Sequence, residues 1–60
     1  MNLPSDGNIL LSLINTTLRD EYSSLSDLCE EECTEEKEIT SRLAALGYYY
    51  DKEANAFKLN

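Results

Sequence analysis

The sequence predicts a small α+β domain, mainly α, in which three short helices precede a C-terminal β-hairpin. Apolar residues recur at helical spacing before Gly47, and aromatic residues with the bias of strands follow it. A chain of 60 residues is long enough for one domain only. A hydrophobic content of 42% with 28% charged residues is typical of a folded globular protein, so we expect a single domain over residues 1–60.

The first helix, predicted over residues 7–21, has an unusually wide apolar arc. At about 100° per residue its apolar side chains span about 200°, whereas one packing face needs roughly 100°. One explanation is that the rest of a small domain wraps around this helix. The alternative is that one edge, either Ile9 with Leu13 or Leu11 with Leu18, stays exposed for a second protomer.

Side chains that can cap a helix precede the first two predicted helices, Ser5 or Asp6 for the first and Ser24 for the second. Thr34 or Glu35 begins the third. The second helix is predicted over residues 24–31 and the third over residues 35–46. In the third helix Ile39, Leu43 and Leu46 repeat at spacings of four and three, and Gly47 ends it in the left-handed position.

The C-terminal stretch YYYDKEANAFKLN predicts a hairpin over residues 48–59, because DKEAN supplies turn residues between two aromatic-rich segments. Strand alternation places Tyr48 and Tyr50 on one face and Tyr49 on the other. One of these two faces is expected to cover the helices.

The helix, turn and helix over residues 24–47, followed by a hairpin, are similar to the pattern of a winged-helix domain. A small winged-helix DNA-binding regulator is therefore one alternative function. Twelve acidic and five basic residues give a net charge of −7, which opposes binding to phosphates. We therefore expect no nucleic-acid partner unless a basic patch forms. Its candidate members are Arg19, Arg42, Lys52 and Lys58.

The segment EEECTEEKE, residues 30–38, concentrates glutamates at the junction of the second and third helices. Glu35, Glu36 and Glu38 fall in the first turn of a helix, where its dipole stabilises a carboxylate by about 0.3 to 1 kcal/mol at low salt. The other three lie at a helix C-terminus, where the dipole disfavours them. The segment is therefore either a solvated face or a surface for a basic partner, such as a nucleic-acid-binding protein that this chain would inhibit.

The sequence offers little for metal binding or catalysis. It contains no histidine, and Cys29 and Cys33 supply two thiolates where structural zinc needs four ligands. We expect free thiols, no cofactor and no enzymatic activity. The longest apolar run is far shorter than the roughly 20 residues that span a bilayer, so a cytoplasmic location without membrane attachment is expected.

A group of polar residues on the first helix is interpreted as a structural clamp. Asn15 and Arg19 lie one turn apart, and Asp20 follows them. We expect hydrogen bonds and an ion pair from this group to hold the first helix against the acidic end of another element.

Three segments carry a resemblance that spans nearly the whole chain: MNLPSD at the start, LLSLINTTLRDEYSSLSDLC in the middle, and LAALGYYYD followed by NAF near the end. On these segments the chain resembles the short bacterial family called domain of unknown function 4250. The resemblance implies no activity, cofactor or partner.

The function that best fits these observations is a non-enzymatic protein-interaction module that self-associates, as a homodimer, through the first helix or the hairpin. A small core, the wide apolar arc and the net charge favour this interpretation. The predicted interaction surface consists of Ile9, Leu11, Leu13, Leu18, Glu31, Glu35, Glu36 and Tyr49.

Overall fold

The computed structural model describes residues 1–60 and contains three helices followed by a two-stranded antiparallel sheet. The elements are α1 (Gly7–Asp20), α2 (Leu25–Glu31), α3 (Glu36–Ala44), β1 (Tyr48–Asp51) and β2 (Ala56–Leu59). The predicted fold class, α+β and mainly α with a C-terminal hairpin, is confirmed. None of the three helices has the length and apolarity that crossing a membrane requires.

The helix bounds differ slightly from the predicted ones because cap residues are not themselves helical. Asp6 caps α1, and its carboxylate accepts hydrogen bonds from Asn8 N at 2.8 Å and Ile9 N at 3.1 Å. Ser24 caps α2 by accepting from Asp27 N at 3.1 Å. Each cap satisfies backbone N–H groups that have no partner inside the helix.

The helix α3 ends two residues earlier than predicted, at Ala44. Ala45, Leu46 and Gly47 form a turn, in which Gly47 adopts a φ of 93°. Leu46, which the apolar spacing groups with Ile39 and Leu43 in the predicted helix, lies outside α3. Because it lies beyond the last helical turn, its side chain is 44% exposed and reaches toward Gly7.

One hydrophobic core joins all three helices to β2, and α1 contributes its central residues. The buried side chains are Leu10, Ile14, Leu18, Leu25, Leu28, Cys29, Ile39, Leu43 and Phe57. Tyr48 and Tyr50 pack against this core, while Tyr49 on the opposite strand face is 47% exposed. The face that covers the helices is therefore the one that carries Tyr48 and Tyr50.

The N-terminal residues are tied to the helices. The amino group of Met1 donates to Glu32 O at 2.9 Å, and the Arg42 guanidinium donates to the carbonyl oxygens of Pro4 at 2.6 Å and Ser5 at 3.1 Å. These bonds place the start of the chain along the α2–α3 junction.

The turn after α2 has a left-handed residue, Cys33, with a φ of 54°. Thr34 N donates to Cys29 O at 2.9 Å, and Cys33 N donates to Glu30 O at 3.4 Å. This pair of bonds is the Schellman arrangement, which usually has glycine at the left-handed position. A Cβ in that conformation is strained, so the turn stores backbone strain at Cys33.

We predict that Cys33→Gly raises the free energy of unfolding by about 0.5 to 1 kcal/mol, because relief of the left-handed strain exceeds the added entropy of the unfolded chain. Urea unfolding measures the change. Cys33→Ala is the matched control: it removes the thiol but keeps the Cβ, and should give no comparable gain. Equal stabilisation by both variants would assign the effect to the thiol.

Candidate functional site

The hairpin is attached to α1 through a side-chain amide that takes the place of a neighbouring strand. Asn15 Nδ2 donates to Phe57 O at 3.1 Å, and Phe57 N donates to Asn15 Oδ1 at 2.7 Å. These two bonds satisfy both backbone groups at the centre of β2. Asn15 thus holds the first helix to another element, but that element is a strand and not the acidic end of a helix.

Arg19 and Asp20, the other two members of the predicted clamp, bond only to each other. Arg19 Nε donates to Asp20 Oδ1 at 2.9 Å, and both side chains are exposed. The hydrogen bond raises the pKa of Arg19 and lowers the pKa of Asp20. The prediction that this pair clamps α1 to a second element is wrong, because neighbouring residues on the solvent side reach each other first.

A second attachment, which sequence reasoning missed, centres on Asn55 in the hairpin turn. Asn55 Nδ2 donates to Leu18 O at 3.1 Å and to Tyr22 O at 2.9 Å, so it satisfies carbonyl groups at the end of α1. Its Oδ1 accepts from the Tyr50 hydroxyl at 2.7 Å. That hydroxyl in turn accepts from Leu25 N at 3.1 Å, at the start of α2.

The side chains of Tyr50 and Asn55 therefore cap two helix ends from the hairpin. Asn55 has a φ of 53°, a conformation that asparagine tolerates better than most residues. The asparagine in DKEAN was a usable signal for this left-handed position. Its two carbonyl partners lie more than 30 residues away along the chain and carry no local signal.

An open groove of about 960 Å³ lies between the outer side of α1 and the hairpin turn. Asn15, Arg19, Tyr22 and Asn55 contribute to its lining. Two of these, Asn15 and Asn55, already use their amides to hold the hairpin. The groove therefore lies where the hairpin is attached to α1, and these two lining amides are engaged in that attachment.

Tyr22 links the groove to the glutamate segment. Its hydroxyl donates to Glu32 Oε2 at 2.7 Å, and this bond, assisted by burial, raises the pKa of Tyr22 to about 12. Nearby Glu21 and Glu31 add repulsion against the phenolate. Glu32 is accordingly the one glutamate of the segment EEECTEEKE that is half-buried, while the rest are exposed.

The predicted apolar interaction residues divide into three groups. Ile9 is 58% exposed and Leu13 half-buried, so this edge of α1 is accessible. Leu11 is half-buried and packs against the core. Leu18 is 1% exposed, so its assignment to an exposed edge is wrong: the α1 arc is filled on that side by the core. Tyr49 is accessible, as expected from strand alternation.

Two large exposed apolar side chains were missed. Leu59 is 68% exposed at the end of β2, and Leu46 is 44% exposed before β1. Leu59 lies against Gly47, since a Cβ there would be 3.6 Å from its Cδ1. Leu46 follows the end of α3 and Leu59 is the last residue of β2, so both side chains lie at the ends of their elements.

Charge is distributed unevenly between the helices and the hairpin. Residues 48–60 contain two acidic residues, Asp51 and Glu53, and two basic residues, Lys52 and Lys58. The hairpin region is therefore neutral, and the net charge of −7 lies entirely on residues 1–47. Glu31, Glu35 and Glu36 are exposed and belong to neither of the two ion pairs in the structure.

Three of the four basic residues considered for DNA binding have partners within the chain. Arg19 pairs with Asp20, Arg42 donates to the carbonyl groups of the N-terminal residues, and Lys58 lies 3.7 Å from Asp51. Only Lys52 of this set has no such contact. The basic side chains are thus spread over three parts of the structure and mostly engaged.

The two cysteines occupy different environments, and neither is in a disulfide. Cys29 is buried, and its burial, with a smaller contribution from Glu36, raises the pKa of the thiol. Cys33 is exposed at the left-handed turn. No three His, Cys, Asp or Glu side chains group in a way that could hold a metal ion.

These features define a small α+β domain whose hairpin is fastened to its helices by two asparagines. The family profile described as Domain of unknown function (DUF4250) matches residues 4–57. The chain therefore belongs to this family, and the resemblance found in its sequence is confirmed. No curated protein and no solved structure matches the chain, so the winged-helix likeness stays a prediction.

We predict a pH-dependent stability difference between the wild type and Tyr22→Phe. Because the pKa of Tyr22 is about 12 in the folded chain and about 10 when unfolded, the bond to Glu32 stabilises the fold below pH 10. Its contribution is lost as the pH rises from 10 to 12. The difference in urea midpoint between the two proteins should therefore shrink over that range.

Tyr49→Phe is the matched control, because Tyr49 is exposed and the loss of its hydroxyl removes no hydrogen bond of the structure. A tyrosinate absorbance titration provides the second measurement. The component missing from Tyr22→Phe should titrate near pH 12, and a missing component near pH 10 would contradict the Tyr22–Glu32 bond.

Proposed function

We propose that the protein is a non-enzymatic, cytoplasmic protein-interaction module that associates with a second copy of itself through the hairpin. The observation that carries this proposal is the coincidence of exposed apolar surface and neutral charge. Of the four large apolar side chains that stay exposed, Leu46, Tyr49 and Leu59 lie on the hairpin or at its entry. The hairpin is also the part of the chain with no net charge.

Electrostatics explains why the hairpin suits a second copy better than the helices do. Two copies that each carry a charge of −7 repel one another, and the repulsion is strongest where the carboxylates are closest. Contact through the α2–α3 junction would bring the glutamate segments together. Contact through the hairpin keeps them apart and places neutral, aromatic surface at the interface, the composition typical of interface cores.

A basic partner is the second candidate, supported by the exposed carboxylates of Glu31, Glu35 and Glu36. In this alternative the chain is an acidic inhibitor that covers a basic, nucleic-acid-binding surface of another protein. The DNA-binding alternative draws no support from the basic residues, because most of them are engaged within the chain.

The two candidates predict opposite effects of one variant in which Glu31, Glu35 and Glu36 are changed to Gln. If the chain self-associates through the hairpin, sedimentation equilibrium should show a dimer with a Kd between about 1 µM and 1 mM. Removing three negative charges should tighten that dimer at low salt, and added salt should reduce the difference by screening.

If the glutamates bind a basic partner, the same variant should lose salt-sensitive binding to polylysine, while self-association stays absent. A wild type that remains monomeric up to about 1 mM at moderate salt would overturn the self-associating function. A dimer that weakens in the Gln variant would place the glutamates within the interface and contradict contact through the hairpin.

A further inference from the structure

The phase of the β ladder determines which backbone groups point away from the hairpin. Asn60 N donates to Gly47 O at 2.7 Å, immediately beyond the paired residues Tyr48 and Leu59. Hydrogen-bonded pairs alternate in an antiparallel ladder, so the next ones are Tyr49 with Lys58 and Asp51 with Ala56. The residues whose backbone groups point outward are Tyr48, Tyr50, Phe57 and Leu59.

The two outer edges of the hairpin differ. On the β2 edge, Asn15 bonds to both backbone groups of Phe57. These groups point outward, as the alternation of the ladder requires. On the β1 edge, the N–H and C=O groups of Tyr48 and Tyr50 have no hydrogen-bond partner in the chain. Natural proteins protect such an edge with lysine, proline or a bulge, and the three consecutive tyrosines of β1 have none of these.

We propose that β1 pairs antiparallel with β1 of a second copy, across a twofold axis at Tyr49, to form a continuous four-stranded sheet. This inference rests on the proposed function and names the surface and register of the self-association. Across such an axis Tyr48 lies opposite Tyr50 of the partner subunit, and Tyr50 lies opposite Tyr48 of the partner subunit.

In this register every unpaired backbone N–H and C=O group of Tyr48 and Tyr50 gains a hydrogen-bond partner. The backbone groups of Tyr48 and Tyr50 point outward, and the axis at Tyr49 places Tyr48 of each subunit opposite Tyr50 of the partner subunit. Each of these two pairs makes two hydrogen bonds, four in all. Tyr49 then faces Tyr49 of the partner subunit in a non-hydrogen-bonded pair, where side chains approach most closely. Aromatic pairs in that position add to the stability of a sheet.

The charge distribution favours a second copy as the occupant of this edge. The strand β1 carries one charged side chain, Asp51, which lies 3.7 Å from Lys58 of its own chain. In the proposed register Asp51 lies opposite Gly47 of the partner subunit, so no two carboxylates face each other. The β1 edge is neutral, and its unpaired backbone N–H and C=O groups can pair with the same groups of a second copy. It therefore needs no partner of opposite charge.

The experiment is a pair of synthetic 60-residue chains, each with one backbone methyl group. Nα-methylation of Tyr50 blocks an outward N–H on the β1 edge and keeps every side chain. Nα-methylation of Leu59 blocks an outward N–H on the β2 edge and is the matched control. We expect the first to weaken the dimer at least tenfold, since symmetry removes two hydrogen bonds, and the second to leave it unchanged.

A second variant pair keeps the test decisive if the methylated chain does not fold. Tyr49→Glu places a carboxylate beside Lys58 within its own chain and opposite the same carboxylate across the twofold axis. It should weaken the dimer, with recovery in high salt, because like charges directly opposite repel. Tyr49→Thr, a neutral strand former, should retain more of the association than Tyr49→Glu at low salt.

The outcomes separate this inference from the function on which it rests. A dimer that survives methylation of Tyr50 and the Tyr49→Glu change, but is lost in Ile9→Ser, would overturn the edge pairing and leave self-association standing. A wild-type chain that never associates would overturn both. Isotope-filtered contacts between the Tyr49 Hα atoms of labelled and unlabelled copies would support the proposed register, and their absence in a formed dimer would contradict it.

Discussion

The hydrogen bonds of Asn55 are the contact on which the arrangement of this domain depends. A two-stranded hairpin is at best marginally stable in water, so β1 and β2 need an external support. Asn55 provides it by donating to Leu18 O and Tyr22 O, while the Tyr50 hydroxyl joins Asn55 to Leu25 N. The hairpin thereby supplies hydrogen bonds both to carbonyl groups at the end of α1 and to an N–H group at the start of α2. Phe57 completes the core between them.

Asn15 complements this contact from the other side. By bonding to both backbone groups of Phe57 it fixes the β2 edge against α1, which leaves the β1 edge as the free one. The same two asparagines therefore determine where the hairpin sits and which of its edges faces outward. This links the packing of the fold to the surface on which the proposed self-association depends.

The order and type of the elements could be predicted from the sequence because their signals are local. Apolar spacing, capping side chains and the aromatic strand segments each lie within a few residues of the element they specify. The attachment of the hairpin could not be predicted, because Asn55 bonds to carbonyl groups more than 30 residues away. Other side chains with a hydrogen-bond donor were equally compatible with the sequence as partners for those carbonyl groups.

The errors at single residues have the same origin. The α1 arc was correctly seen as too wide for one partner, but periodicity does not say which edge the core fills, so Leu18 was placed outside and is buried. Leu46 shares the apolar spacing of Ile39 and Leu43, yet it lies past the end of α3, and Leu59 is exposed at the last position of β2. Net charge was read for the whole chain, whereas its division into acidic helices and a neutral hairpin is what bears on the interaction surface.

The most direct test of this account is the free energy of unfolding of Asn55→Gly. Asn55 and Cys33 are the two residues other than glycine with positive φ, at 53° and 54°, so glycine relieves the same backbone conformation at both. Asn55→Gly should nevertheless destabilise the domain by about 2 kcal/mol or more, because it removes the side chain's three hydrogen bonds. A variant as stable as the wild type, or stabilised as Cys33→Gly should be, would contradict the central role given to this side chain.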